Sequence, residues 1–142
     1  MVDAMISMFG PIAWVDAQSL RRFVETEVDD TTSMLLAFEN GISGYLGTLA
    51  ASAKYSRFHV FGSKGWAKID DESRLEIRPI EGDSEVIAYP PFDTERAELE
   101  AFANAVAGVA EYPLPLDHAV HGVSVLDATV RSMASGKREP VI

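Results

Sequence analysis

The sequence predicts an α+β domain: a large, mainly antiparallel open sheet of six to eight strands, backed by two helices. Three observations carry that prediction. Residues 12 to 89 read as short alternating apolar runs separated by turn residues, which is the pattern of half-buried strands. After Asp93 the apolar period changes from two to about 3.6, the period of an amphipathic helix. Finally, 142 residues that are 47% apolar suffice for one domain, 1–142, with a real core, and no repeat or internal linker interrupts them.

The first element is a short helix, because Val2, Met5, Ile6 and Phe9 fall at helical spacing and Gly10-Pro11 ends the run. Asp3 in its first turn suits the helix dipole, although no earlier residue supplies a cap. Ile12-Ala-Trp14-Val15 begins the first strand, and Thr32, Met34, Leu36 and Phe38 alternate along the second. Asn40-Gly41 predicts a tight hairpin with both turn residues at positive φ. The third strand, Ile42 to about Ala53, is dominated by small residues: Gly44, Gly47, Ala50, Ala51 and Ser52.

Phe58 and Val60 alternate with Arg57, His59 and Phe61 in the fourth strand, and Gly62-Ser-Lys-Gly65 turns into a fifth from Trp66 to Asp70. Leu75 and Ile77 mark the sixth strand, Glu81-Gly-Asp a turn, and Val86 to Tyr89 the seventh. Leu99, Phe102, Ala103, Val106, Val109 and Ala110 then form one helical face, capped by Asp93. After Pro113 and Pro115, Asp117 caps a second helix whose expected buried face is Ala119, Val123, Leu126, Val130 and Met133. Gly136 stops that helix, and Pro140-Val-Ile adds a short edge strand.

Two helices cover one face of such a sheet, and the opening helix is too short for the other. Yet Ile42 and Leu46 alternate with Tyr45 and Leu49, so neither face is cleanly polar. An uncovered face bearing Tyr45 and Leu49 is an apolar patch that soluble monomers avoid, and another surface is expected there.

Composition removes several function classes. The formal charge of −10 disfavours nucleic acid and anionic membranes, and Arg21-Arg22 and Lys137-Arg138 are isolated basic pairs. No apolar run approaches the ~20 residues of a membrane span, and no signal-peptide pattern is present. The absence of cysteine rules out disulfides and thiolate metal sites and fits a cytoplasmic location.

Convergent catalytic groups are scarce. His118 and His121 stand at i, i+3 on a helix, but no spacing offers a third metal ligand, so helix-surface or packing roles are expected and no metal. Asp70-Asp71-Glu72 and Asp29-Asp30 read as solvated turns. Ser56, Ser63 and Ser124 lack a nucleophile-elbow context. Gly62-x-x-Gly65 leads from strand to strand, whereas a dinucleotide loop leads into a helix, so a hairpin turn is expected. Lys54, Tyr55 and Arg57 gather three long hydrogen-bonding side chains at one end of the sheet. Both an ordinary loop and a sugar or polyol pocket account for them.

Four words in order carry a resemblance: V-D-A-M-I-S-M-F-G from Val2, F-E-N-G-I-S-G-Y-L from Phe38, F-H-V-F-G-S-K-G from Phe58, and G-V-S-V-L-D-A-T-V-R-S-M-A-S-G-K from Gly122. With their spacing, they make the whole chain resemble the C-terminal domain of the Gfo/Idh/MocA family of NAD(P)-dependent oxidoreductases. The resemblance implies a substrate-side and dimerising domain from an enzyme acting on a sugar, inositol or related polyol. NAD or NADP is implied for the full-length protein. The family's catalytic lysine lies in an E-K-P motif, and an Asp and a His follow in G-x-x-x-D-x-G-x-H-x-x-D. Asp3 matches only the closing aspartate of that stretch. No catalytic residue, no cofactor residue and no N-terminal Rossmann domain is therefore expected in these 142 residues. Lys54 and Tyr55 match positions where the family often places substrate contacts, and Arg57 joins them as an expected substrate-binding residue. The implied partner is a second copy through the sheet face, giving a dimer. A free-standing, non-catalytic dimeric binding module is the competing reading.

Overall fold

A computed structural model describes residues 1–71 and 73–142, in which eight strands and three helices form two compact units. The α+β class and the antiparallel pairing are as expected, but the eight strands divide into two four-stranded sheets.

The first unit joins residues 1–52 to residues 113–142. It contains helix α1 (Val2–Phe9) and strands β1 (Ile12–Leu20), β2 (Thr31–Phe38) and β3 (Ser43–Leu49). The second unit, residues 53–112, supplies β4 (Arg57–Gly62), β5 (Gly65–Asp70), β6 (Arg74–Pro79), β7 (Glu85–Ala88) and helix α2 (Thr94–Val106). The chain then returns to the first unit with helix α3 (Leu116–Ser135) and strand β8 (Glu139–Pro140).

In the first unit the strand order is β3-β2-β1-β8. Antiparallel partners share a face, so the register sorts the side chains. Val15, Leu36 and Gly44 make one row, and Ala17, Met34 and Leu46 the next on that same face. Buried Val125, Ala128, Thr129 and Ser132 line α3, which packs on β1, and Met5 and Ile6 of α1 complete the core. This is not the face of α3 that its aliphatic spacing predicts. Val123, Leu126 and Val130 are exposed, and the buried stripe lies roughly a third of a turn away. The buried stripe is poorer in large aliphatics because small and hydroxyl side chains let the helix approach the sheet.

Three end-effects also differ from expectation. Asn40-Gly41 does make a hairpin, but only Gly41 has positive φ, at 87°. The Gly41 N–H donates to the Phe38 carbonyl and the Phe38 N–H to the Ile42 carbonyl, closing a three-residue loop. Strand β3 stops at Leu49, opposite Thr31 at the start of β2, and one further bond, from the Ala50 N–H to the Asp30 carbonyl at 2.8 Å, closes the pairing. Helix α3 starts one residue before Asp117, at a Pro115 cap without a side-chain hydrogen bond. Gly136, with φ 64°, ends it as expected.

In the second unit the order is β4-β5-β6-β7. Asp93 caps α2 by accepting the Arg96 N–H at 2.9 Å, yet α2 has no buried residue. Its expected face, with Leu99, Phe102 and Val106, is exposed.

Candidate substrate-binding site on the second sheet

Register again decides what meets. Counting back from the two-residue turn between Gly62 and Gly65, Arg57 opposes Asp70 and His59 opposes Lys68. Lys68 in turn opposes Glu76, and Asp70 opposes Arg74. These rows share one face with Phe61 and Trp66, while Phe58, Ile69, Leu75 and Ile87 form an apolar row on the other. One face of this sheet is therefore ionic and aromatic, and the other apolar.

Asp70 is the hub of the ionic face. Its Oδ1 accepts from Arg57 Nε at 2.9 Å and from the Tyr55 hydroxyl at 3.1 Å, while Oδ2 lies 3.0 Å from Lys68 Nζ. Lys68 Nζ also reaches Glu76 at 3.3 Å, which pairs with Arg74 at 3.2 Å. The Arg57 guanidinium stands 5.2 Å from the centre of the Tyr55 ring, within cation–π range. Hydrogen bonds from Arg57, then Lys68 and Tyr55, hold the Asp70 carboxyl down to about 2. The same bond raises the Arg57 value, and Asp70 and then Glu76 raise that of Lys68. A carboxylate so fully engaged is a poor general base. The cluster holds its side chains in place through Asp70 and leaves the terminal N–H groups of Arg57 without a partner among the described residues.

Of the three residues expected to bind substrate, Tyr55 and Arg57 thus converge. Lys54 sits exposed in the preceding loop and makes no ion pair among the described residues. Asp70, read from sequence as part of a solvated turn, is instead the acceptor that organises the other two. The hairpin register was the available signal, since it places an acid opposite Arg57. The turn itself follows: Asp71, at φ 51°, donates its N–H to the Ser56 carbonyl and accepts the Ser56 N–H on Oδ1. Glu72 lies outside the described residues.

The other singled-out residues have structural duties. His121 Nε2 accepts the Ile12 N–H at 2.9 Å, joining α3 to the start of β1, while His118 Nδ1 is buried without a partner among the described residues. Among those residues no group of three His, Asp or Glu is placed to hold a metal. Asp30 corrects the solvated-turn reading. It is 3% exposed, and its Oδ2 accepts the N–H groups of Arg22, Phe23 and Val24 at 2.9, 2.6 and 3.0 Å. The loop before β2 is thereby tied around one carboxylate.

Every described strand pair is antiparallel, and the Gly62–Gly65 turn joins two strands where a dinucleotide loop would open a helix. No described helix is long and apolar enough to cross a membrane.

Comparison with known proteins bears on the whole chain. Residues 1–68 match the pattern of the GFO/IDH/MocA C-terminal domain. No curated protein matches by sequence. Among solved structures, an oxidoreductase from Agrobacterium radiobacter, in complex with NAD+, L-tartaric acid and magnesium, aligns with a TM-score of 0.85 at 15% identity, over 99% of this chain and 46% of that one. The WlbA dehydrogenase from Bordetella pertussis, in complex with NADH and UDP-GlcNAcA, aligns at 0.79 and 18% identity, over 99% and 45%. An aldose-aldose oxidoreductase from Caulobacter crescentus, complexed with glycerol, gives 0.81 and 20%, over 98% and 44%. The chain spans a little under half the length of the structures it matches.

Proposed function

We propose, from the match of residues 1–68 to the GFO/IDH/MocA C-terminal domain and the likeness of the whole fold to solved oxidoreductases, that this chain is the substrate-side and dimerising domain of an NAD(P)-dependent oxidoreductase. The observation that carries the reading is the fold match along essentially the whole chain to oxidoreductases of which it covers less than half. Exposed apolar stripes support it. Leu116, Val120, Val123 and Val130 of α3, like Leu99 and Phe102 of α2, are surfaces that further polypeptide would cover.

The substrate is a sugar, inositol or related polyol. Two of the similar structures hold UDP-GlcNAcA and glycerol. Here Arg57, fixed on Asp70 through Nε, keeps its terminal N–H groups as donors, and the Tyr55 hydroxyl, whose proton goes to Asp70, offers its oxygen as an acceptor, a pairing that suits vicinal hydroxyls. NAD or NADP would carry the hydride in the full-length enzyme, and this chain's residues orient the polyol rather than move its protons. The assembly is a cytoplasmic homodimer formed through the open face of the first sheet, where Leu35, Tyr45 and Leu49 stand exposed.

The test is turnover. The polypeptide carrying this chain with its cofactor half is given NAD or NADP, in oxidised and in reduced form, with a panel of aldoses, inositols, sugar acids and their keto counterparts, and nicotinamide absorbance is followed. Arg57→Ala and Tyr55→Phe should raise KM with little change in kcat, the signature of a lost ground-state contact. A protein that binds cofactor yet oxidises or reduces none of the panel would overturn the reading. If no cofactor half is encoded with the chain, the binding-module reading replaces it.

A further inference from the structure

The aromatic corner of the second sheet plays no part in that binding role. His59 on β4 is half-buried, its ring centre 4.0 Å from that of Phe61 and 5.2 Å from that of Trp66, the latter edge-on. Its Nε2 is closed off from solvent and has no hydrogen-bond partner among the described residues. The charged groups that share its face are Arg57 from β4, Lys68 and Asp70 from β5, and Glu76, Arg74 and Arg78 from β6. Both carboxylates are already engaged, Asp70 by Arg57, Tyr55 and Lys68, and Glu76 by Lys68 and Arg74.

An imidazolium carries N–H on both nitrogens. Formed in place, it would have a buried N–H without an acceptor and Arg57 and Lys68 as cationic neighbours. The ring faces of Phe61 and Trp66 attract a cation, but a ring quadrupole does not replace an acceptor for a buried donor.

We propose that His59 is a proton-operated latch: neutral, it packs into the corner with Phe61 and Trp66, and protonated, it swings out to water and loosens the hairpin end of β4 and β5. The titration direction agrees. Burial pushes the imidazole below its ordinary 6.5, Arg57 and Lys68 push it further, and Asp70 opposes them more weakly. The folded corner therefore binds fewer protons than the unfolded chain. Its stability is complete above pH 6.5 and declines as pH falls from there to the folded value.

The experiment uses Trp14→Phe as background, so that Trp66 is the sole indole. The His59 ring proton is titrated by NMR while Trp66 fluorescence and near-UV dichroism are recorded. The expected result is a His59 midpoint below 6.5 and a Trp66 change at that same midpoint. His59→Phe should leave the Trp66 signal flat across the range, and His59→Gln, which does not titrate either, serves if the first variant fails to fold. A Trp66 change that persists in the variant, a flat Trp66 signal while His59 titrates, or a midpoint at or above 6.5 would each overturn the proposal.

Discussion

Ser132, buried on α3, accepts the Ala17 N–H of β1 at 2.9 Å and donates to the Lys137 carbonyl at 2.6 Å. Strand β8 pairs only with Trp14 and Val15, so beyond it the edge of β1 is answered by this hydroxyl. Removing it leaves a buried amide without an acceptor. Ser132→Ala should cost ~1–3 kcal/mol of unfolding free energy, measured by urea denaturation. Wild-type stability in that variant would show that water or a shift of α3 satisfies Ala17 instead.

Gly65 is constrained by contact as well as by backbone. Its φ is 140°, and a Cβ there would sit 2.1 Å from the Arg78 carbonyl oxygen, whereas one at Gly62 meets nothing closer than 3.9 Å. Gly65→Ala should destabilise by ~2 kcal/mol or more, and Gly62→Ala by well under half of that. Thermal melts of the pair check the ordering, and equal losses would contradict it.

Acid should act on Asp30 and Asp70. The Phe23, Val24 and Arg22 amides hold the Asp30 carboxyl far below its ordinary 3.8, and Arg57 and Lys68 hold Asp70 at about 2. Because both folded values are depressed, each carboxylate's contribution is complete above pH 3.8 and is lost as pH falls from there toward the folded value. Asp30→Asn should lower stability at neutral pH, and its deficit should shrink below pH 3.8. Denaturation curves at pH 7 and pH 3 compare the two proteins, and a deficit unchanged by pH would remove the charge from the explanation.

Sheet-face assembly gives a mass prediction. Tyr45 is 62% exposed and Leu49 53%, on a face where Gly47 lies beneath the Tyr45 hydroxyl. A two-fold contact would bury at least ~1,000 Å² there. Light scattering should report twice 15.5 kDa at micromolar concentration, and Tyr45→Glu should return the monomer. A wild-type particle of 15.5 kDa would refute the dimer.

Much of this fold was legible because strand register follows from turns. The Gly62–Gly65 hairpin alone fixes which β4 residue meets which on β5, and period-two patterning located β1 and β2. What stayed hidden has a common physical cause. Burial on α3 follows fit against a sheet more than hydrophobicity, so Ala128, Thr129 and Ser132 are covered while Val123 and Leu126 are not. Asp30 escaped because a carboxylate that gathers three amides depends on loop geometry that no spacing encodes. Tyr55 and Arg57 were recognisable as hydrogen-bonding side chains, but their organiser, Asp70, emerges only once β4 and β5 are laid side by side.

The first unit is discontinuous in sequence, and that sets an order of events during synthesis. Strands β1 and β2 leave the ribosome before α3, yet β1 packs on α3 and its Ala17 bonds to Ser132, which emerges more than a hundred residues later. Translation proceeds at about 5–20 residues per second, so the apolar strands stay uncovered for several seconds while residues 53–112 are made. During that interval the nascent sheet keeps one apolar face open to water.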